Sequence, residues 1–283
     1  MIMASKHTNG QAGSDEIRLA DSITKLGPEF RGKVLVCGSH GGRYCGYLAA
    51  VSGLRGVILN DAGLGKNNAG IGALDYLQPL GIPAATVTYT SARIGDGVDT
   101  MERGRVSYCN AVASELGCLQ GQASHEVAKL MLQGTLFQDN VANYEESRTV
   151  LCDGPVRVIA CDSASLVKPM DAGAIVVTGS HGGVLASRPD YGVSASVRGA
   201  VFNDAGIGIE EAGIQRLKVL EQAGIPAAVV DCKSACIGDA RSTWESGVIS
   251  RVNWKAGQCG IVVGMAVPDF AELLNVRSSE YEK

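Results

Sequence analysis

Residues 33–42, KVLVCGSHGG, and residues 174–183, AIVVTGSHGG, end apolar runs of the same kind on the same motif. The match continues on both sides. IRLADSITKL (17–26) pairs with VIACDSASLV (158–167), aligning Asp21-Ser22 with Asp162-Ser163. GVILNDAGLGKNNAGI (56–71) pairs with GAVFNDAGIGIEEAGI (199–214), LGIPAATV (80–87) with AGIPAAVV (223–230), and SARIGDG (91–97) with SACIGDA (234–240). Later, Glu102, Gly104, Ser107 and Asn110 match Glu245, Gly247, Ser250 and Asn253. The spacing holds apart from two extra residues between His181 and Asn203. Self-similarity of this length reads as an internal duplication. Its expected units are 17–135 and 158–277, joined by a linker at 136–157 and preceded by a disordered leader at 1–16.

Within each unit short β-branched runs bounded by Gly, Asp and Ser read as buried strands. AGIGALDYLQPLG and AGIQRLKVLEQAG place Ile71, Leu74 and Leu77, and Ile214, Leu217 and Leu220, on one helical face before a Gly-Ile-Pro stop. A further helix is expected through 99–116 and 242–256. The fold class is therefore α/β, internally duplicated: two similar parallel-sheet units related by pseudo-two-fold symmetry. In such sheets ligands bind beyond the carboxyl ends of the strands, where every matched polar motif falls.

GSHGG is the most informative of these motifs. A histidine between serine and two glycines is poorly suited to core packing, and consecutive open amides suit an anion or oxyanion. His40 and His181 are thus candidate acid–base groups. Ser39, Gly41, Gly42, Ser180, Gly182 and Gly183 are the candidate substrate contacts around them. The Asn-Asp pairs add Asn60 and Asn203 as ligand contacts and Asp61 and Asp204 as catalytic carboxylates. Ser91 and Ser234, which open the third motif, are further candidate substrate contacts. Asp96 and Asp239, by contrast, read first as helix N-caps.

Differences between the units suggest a division of labour. Arg93 stands where the other unit has Cys236, and Thr90 where it has Lys233. Arg93 suits a substrate carboxylate. Cys236 is a candidate nucleophile whose pKa Lys233 would lower, although the other cysteines read as small apolar fillers.

The bulk composition limits the function classes. A net charge of −4 with scattered Lys and Arg argues against nucleic acid. Nine cysteines without a CxxC pair fit free thiols in a cytoplasmic protein. No apolar run nears the ~20 residues of a membrane span. GSHGG is neither a dinucleotide fingerprint nor a P-loop, and no zinc-ligand spacing occurs, so no cofactor and no metal are expected. A homo-oligomer acting on a small, carboxylate-bearing molecule is the expected state. The first reading is a hydrolase of a small amide or imide C–N bond. The alternatives are an isomerase, racemase or lyase using groups from both halves, and a non-catalytic small-anion binder.

Overall fold

A computed structural model describes residues 16–281, so all of the expected leader except Glu16 lies outside the described residues. The apolar runs form two mixed sheets. The first has five strands in sequential order: β1 (Ile17–Ala20), β2 (Val34–His40), β3 (Gly56–Asn60), β4 (Ala84–Val87) and β5 (Val106–Cys109). The first four run parallel and β5 is antiparallel. The second has six: β6 (Arg148–Asp153), β7 (Arg157–Cys161), β8 (Ile175–His181), β9 (Gly199–Asn203), β10 (Ala227–Val230) and β11 (Ile249–Val252). Here β7 to β10 are parallel, while β6 and β11 are antiparallel edges. Strand β6 comes from the segment expected to be a linker.

Alternation along the central strands fills a core on each face. Leu35, Val57 and Leu59 pack on one side of the first sheet and Val34, Val36 and Ile58 on the other. Val177 and Val201 face opposite ways from Val176 and Phe202 in the second. Burial on both faces explains why these runs read as continuously apolar. A fifth cluster joins the sheets: Ala62 and Ile94 meet Ala205, Ala212 and Ile237.

The helices expected over 99–116 and 242–256 are each interrupted. Helices α3 (Gly97–Arg103) and α7 (Ala240–Ser246) stop at Gly104 and Gly247, the chain turns back as β5 and β11, and short helices α4 (Ala111–Glu115) and α8 (Trp254–Gln258) follow. A Cβ on Gly104 would stand 2.3 Å from the Thr100 carbonyl oxygen, so only glycine makes this reversal. Helices α1 (Arg43–Val51), α2 (Gly72–Leu77), α5 (Ser124–Met131), α6 (Arg216–Gln222) and α9 (Val267–Tyr281) complete the layers. Among the described residues no helix is long and apolar enough to cross a membrane.

After β3 and β9 the chain enters left-handed turns, with Ala62, Gly63, Leu64 and Gly65 all at positive φ and Ala205, Gly206, Ile207 and Gly208 likewise. The two turns touch: a Cβ on Gly63 would lie 2.9 Å from Gly206 Cα. Backbone bonds from Lys66 N–H to the Cys232 carbonyl (2.8 Å) and from Ile209 N–H to the Tyr89 carbonyl (2.9 Å) cross between the halves. Arg103 adds a 2.8 Å ion pair to Glu210. The carboxyl edges of the two sheets are thereby held together.

Candidate active site

The strands deliver the two histidines by the same device. Pairing of β2 with β3 shifts register between Val36 and His40, and pairing of β8 with β9 shifts between Val177 and His181. A bulge of this kind re-aims a side chain at a strand end. It passes through Gly38 and Gly179, where the IGD turns cross so closely that a Cβ on Gly38 would lie 2.3 Å from Asp96 N.

His40 and His181 line one small cavity of about 70 Å³ with Ser39, Ser180, Tyr44 and Glu146. Ser22, Thr24, Ser163 and Asp162 complete its polar wall. Each Nδ1 accepts the amide of the glycine two residues on, Gly42 or Gly183, at 3.1 Å. That bond fixes the neutral tautomer with its proton on Nε2. Burial lowers the pKa of His40 to about 4 and pushes that of His181 well below its usual value, with the Arg216 guanidinium adding to the effect. Both rings are therefore neutral Nε2–H donors near pH 7. Glu146 goes the other way. Burial, with the charge of Asp162 beside it, raises its carboxyl to about 7. Among the described residues no hydrogen bond or ion pair engages it.

The loop carrying Glu146 is held by aromatic contacts. Tyr144 packs edge-on against Tyr44 and Tyr47, and Tyr47 donates to Asn143 Oδ1 at 3.2 Å. Asp162 Oδ2 accepts the Ser147 amide at 2.7 Å.

Of the candidate catalytic and substrate-contact residues named from the sequence, Ser39, His40, Ser180 and His181 meet in this cavity, joined by Ser22, Asp162 and Ser163 of the matched Asp-Ser pairs; the other candidates lie outside its lining. The glycine amides are not open donors, because Gly41 and Gly182 bond the Asn60 and Asn203 carbonyls at 2.7 Å while Gly42 and Gly183 bond the histidines. Asn60 and Asn203 are fully buried braces: their Oδ1 atoms accept from Ala62 and Ala205, and their Nδ2 atoms donate to the Ala92 and Ala235 carbonyls. Asp61 Oδ1 takes the Gly63 and Tyr89 amides, and Asp204 Oδ1 those of Gly206 and Cys232. Burial raises both carboxyls against the pull of these bonds. They hold strained turns, where each non-glycine residue at positive φ costs about 1–3 kcal/mol. Ser91 and Ser234 tie their own turns to the Thr88 and Asp231 carbonyls.

Arg93 is engaged by carboxylates of the protein itself, Asp96 at 3.0 Å, Asp99 at 3.2 Å and Glu210 at 3.6 Å. Burial would raise Asp99, but Arg103 and Arg93 win and hold it below the usual carboxylate range. Cys236 donates to the Lys66 carbonyl at 3.4 Å, across the junction of the halves and outside the cavity lining. Lys233 lines a different surface pocket with Asp231 and Arg251. Asp96 and Asp239 cap α3 and α7 through the Asp99 and Ser242 amides.

Among the described residues the acidic and thiol groups Asp204, Asp231 and Cys232 converge within 4.8 Å, without a histidine. Asp204 is already committed to its turn. Burial, with Asp204 and Asp231 adding to it, pushes the Cys232 thiol up to about 12, which disfavours the thiolate a metal needs.

Sequence reasoning missed Glu146 and Tyr44 in the wall of this cavity. Glu146 lies in the expected linker and has no counterpart in the matched segments, so nothing in the repeat pointed to it. Ser22 and Ser163 did carry a signal, as a matched pair after β1 and β7. No family model, curated protein or solved structure matches this chain.

Proposed function

We propose that the protein is an enzyme of acid–base chemistry on a small carbonyl compound, hydrolysing an amide- or imide-type C–N bond with Glu146 as general base. The observation that carries this reading is a carboxyl with a pKa of about 7 in the same cavity as two neutral histidines. A base poised near the working pH is the one that transfers protons best. Neutral imidazoles that donate from Nε2 stabilise a developing oxyanion, the role the sequence suggested for glycine amides.

In the proposed step the Glu146 carboxylate takes a proton from water as the oxygen attacks the carbonyl carbon. The C=O π pair moves onto oxygen, which accepts hydrogen bonds from His40 and His181. Collapse re-forms the C=O bond and breaks C–N, and Glu146 returns the proton to the departing nitrogen. The products are a carboxylic acid and an amine. A thiol nucleophile is not needed, and Cys45, the cysteine in the cavity wall, is held well above its usual pKa by burial.

The test is amine release from a panel of small amides and cyclic imides. Wild-type protein should turn over at least one of them and Glu146→Gln should not. Retained turnover in that variant would sink the reading. A second reading rests on the histidines coming from opposite halves: proton removal from a C–H bond next to a carbonyl, as in an isomerase or lyase. Solvent deuterium entering the recovered substrate without amine release would favour it.

The matched motifs and the corresponding strand orders also support descent of the two sheets from one duplicated unit.

A further inference from the structure

A groove of about 550 Å³ opens from the cavity on the His40 side, lined by Arg43, Tyr44, Asn67, Asn68, Asp75 and Tyr144. His40, Tyr44 and Gly238 belong to both spaces, so the groove leads to the reactive groups. Arg43 is exposed and stacks on the Tyr76 ring, its guanidinium carbon 5.3 Å from the centroid. Among the described residues it has no ion pair, unlike Arg93, Arg103 and Arg148. It stands at the first position of α1, whose N-cap Gly42 gives no side-chain cap and whose first turn holds no acidic residue. A guanidinium fork beside uncapped first-turn amides suits an oxyanion. Of the carboxylates in the groove, Asp239 is spent capping α7, and Asp75 lies within α2, making no ion pair with Arg43.

The sequence-matched positions in the other half make the contrast. Asn67 and Asn68 correspond to Glu210 and Glu211, which line a separate groove of about 630 Å³ with Asp190 and Lys218. His181 does not line that groove.

We propose that the groove at Arg43 binds an anionic group of the substrate, a carboxylate or phosphate, and so places the substrate's carbonyl at His40. This rests on the catalytic reading above and names its substrate class: small amides carrying a negative charge a few bonds from the scissile carbon. Arg43 is the anchor, with Asn67 and Asn68 at hand as neutral donors.

The test uses malonate and inorganic phosphate as probes on the full chain, followed by calorimetry and by the histidine ring signals in NMR. Malonate or phosphate should bind the wild type and shift the His40 signal more than the His181 signal. Arg43→Gln should weaken that binding roughly ten-fold or more, and Arg43→Lys less, since the ammonium keeps the charge without the fork. A preference for malonate assigns a carboxylate and a preference for phosphate a phosphate. Absence of binding of either anion up to about 50 mM, an affinity too weak for one ion-paired contact, would overturn the proposal. So would equal affinity in wild type and Arg43→Gln. Glu146→Gln separates the two claims: if it keeps turnover while Arg43→Gln loses anion binding, the groove stands and the catalytic reading falls.

Discussion

After GSHGG the two halves diverge. In the first, RYCGYLAAV forms α1 and leaves Arg43 at an open groove that reaches His40. In the second, residues 184–198 stay irregular, as Pro189, Gly192 and the β-branched Val184 and Val193 disfavour a helix. That loop folds over the junction: Ala186 N–H donates to the Gly95 carbonyl at 2.9 Å and Ser187 N–H to Asp21 Oδ2 at 2.7 Å. Arg216 lies buried beneath it, donating to the Gly183 and Gly192 carbonyls and stacking on Phe202. Burial lowers this guanidinium to about 10. His181 is only 8% exposed behind the loop. One motif thus supplies an entrance on one side and a closed wall on the other, and the difference lies wholly in the residues that follow it.

The largest effect expected is from Glu146→Gln, which removes the proposed base from the shared cavity and should lower turnover by roughly 10²–10⁴-fold. In the wild type kcat should fall as pH drops through about 7, where the carboxylate is protonated. Stability should move the opposite way. The folded state keeps the Glu146 proton up to about 7, while the unfolded chain loses it near 4.5. Between those values the native state binds more protons, so this group's contribution is present below pH 4.5 and lost as pH rises through 7. Glu146→Gln should therefore be more stable than wild type at pH 8, by about 1–2 kcal/mol after solvent screening, and indistinguishable at pH 4. Thermal melts at the two pH values decide it; equal Tm shifts at both would mean that Glu146 titrates normally.

Next in size come the donors. His40→Asn and His181→Asn should each lower kcat by about 10²–10³-fold, the usual cost of one oxyanion donor. Because the rings face one cavity, the open and closed sides should lose alike. Full activity in either single variant would show that only the other half works.

The sheets and the histidine pair were legible because both rest on local signals: β-branched runs of strand length, and a polar motif placed where parallel strands end. The edge strands β5 and β11 were hidden because Val106–Cys109 and Ile249–Val252 carry polar and exposed residues, Ser107 and Tyr108 or Ser250 and Arg251, and follow directly on segments with a helical pattern. The turn-bracing bonds of the acids and amides in the matched motifs were not legible in the sequence, for a physical reason. A left-handed turn pressed against its counterpart needs its backbone amides satisfied from within, so Asp61, Asp204, Asn60 and Asn203 are consumed by the fold. Glu146 was invisible since its pKa depends on a loop docking against Tyr44 and Tyr47, a tertiary event with no local pattern.

A smaller effect should follow Arg216→Met. The substitution removes the donors to the Gly183 and Gly192 carbonyls, while its apolar chain keeps part of the packing on Phe202. Loss of these charged bonds should cost about 1–3 kcal/mol, read from urea denaturation. Amide exchange should quicken across 184–192 and stay unchanged around α1, where the matched residue is Ala73 and no such tie exists. Uniform acceleration in both halves would mean that Arg216 supports the whole core and not the closed wall.

The smallest effect expected is at Cys236, and it decides what the asymmetry at the Arg93 position is for. If Cys236 were the nucleophile, Cys236→Ser would abolish turnover, since a hydroxyl without a dedicated base is a far poorer nucleophile. The structure has the thiol donating to the Lys66 carbonyl, with Asn67 Nδ2 3.8 Å from the sulfur, a contact across the junction and not in the cavity. Arg93 serves the same junction from the other half through Glu210. A serine hydroxyl can make the same donation, so Cys236→Ser should change stability by no more than about 0.5 kcal/mol. Turnover should stay within roughly two-fold of wild type, an effect well under 1 kcal/mol. Steady-state kinetics beside a thermal melt measures both. A collapse of kcat with an unchanged melt would return the chemistry to the thiol and remove Glu146 from the role of base.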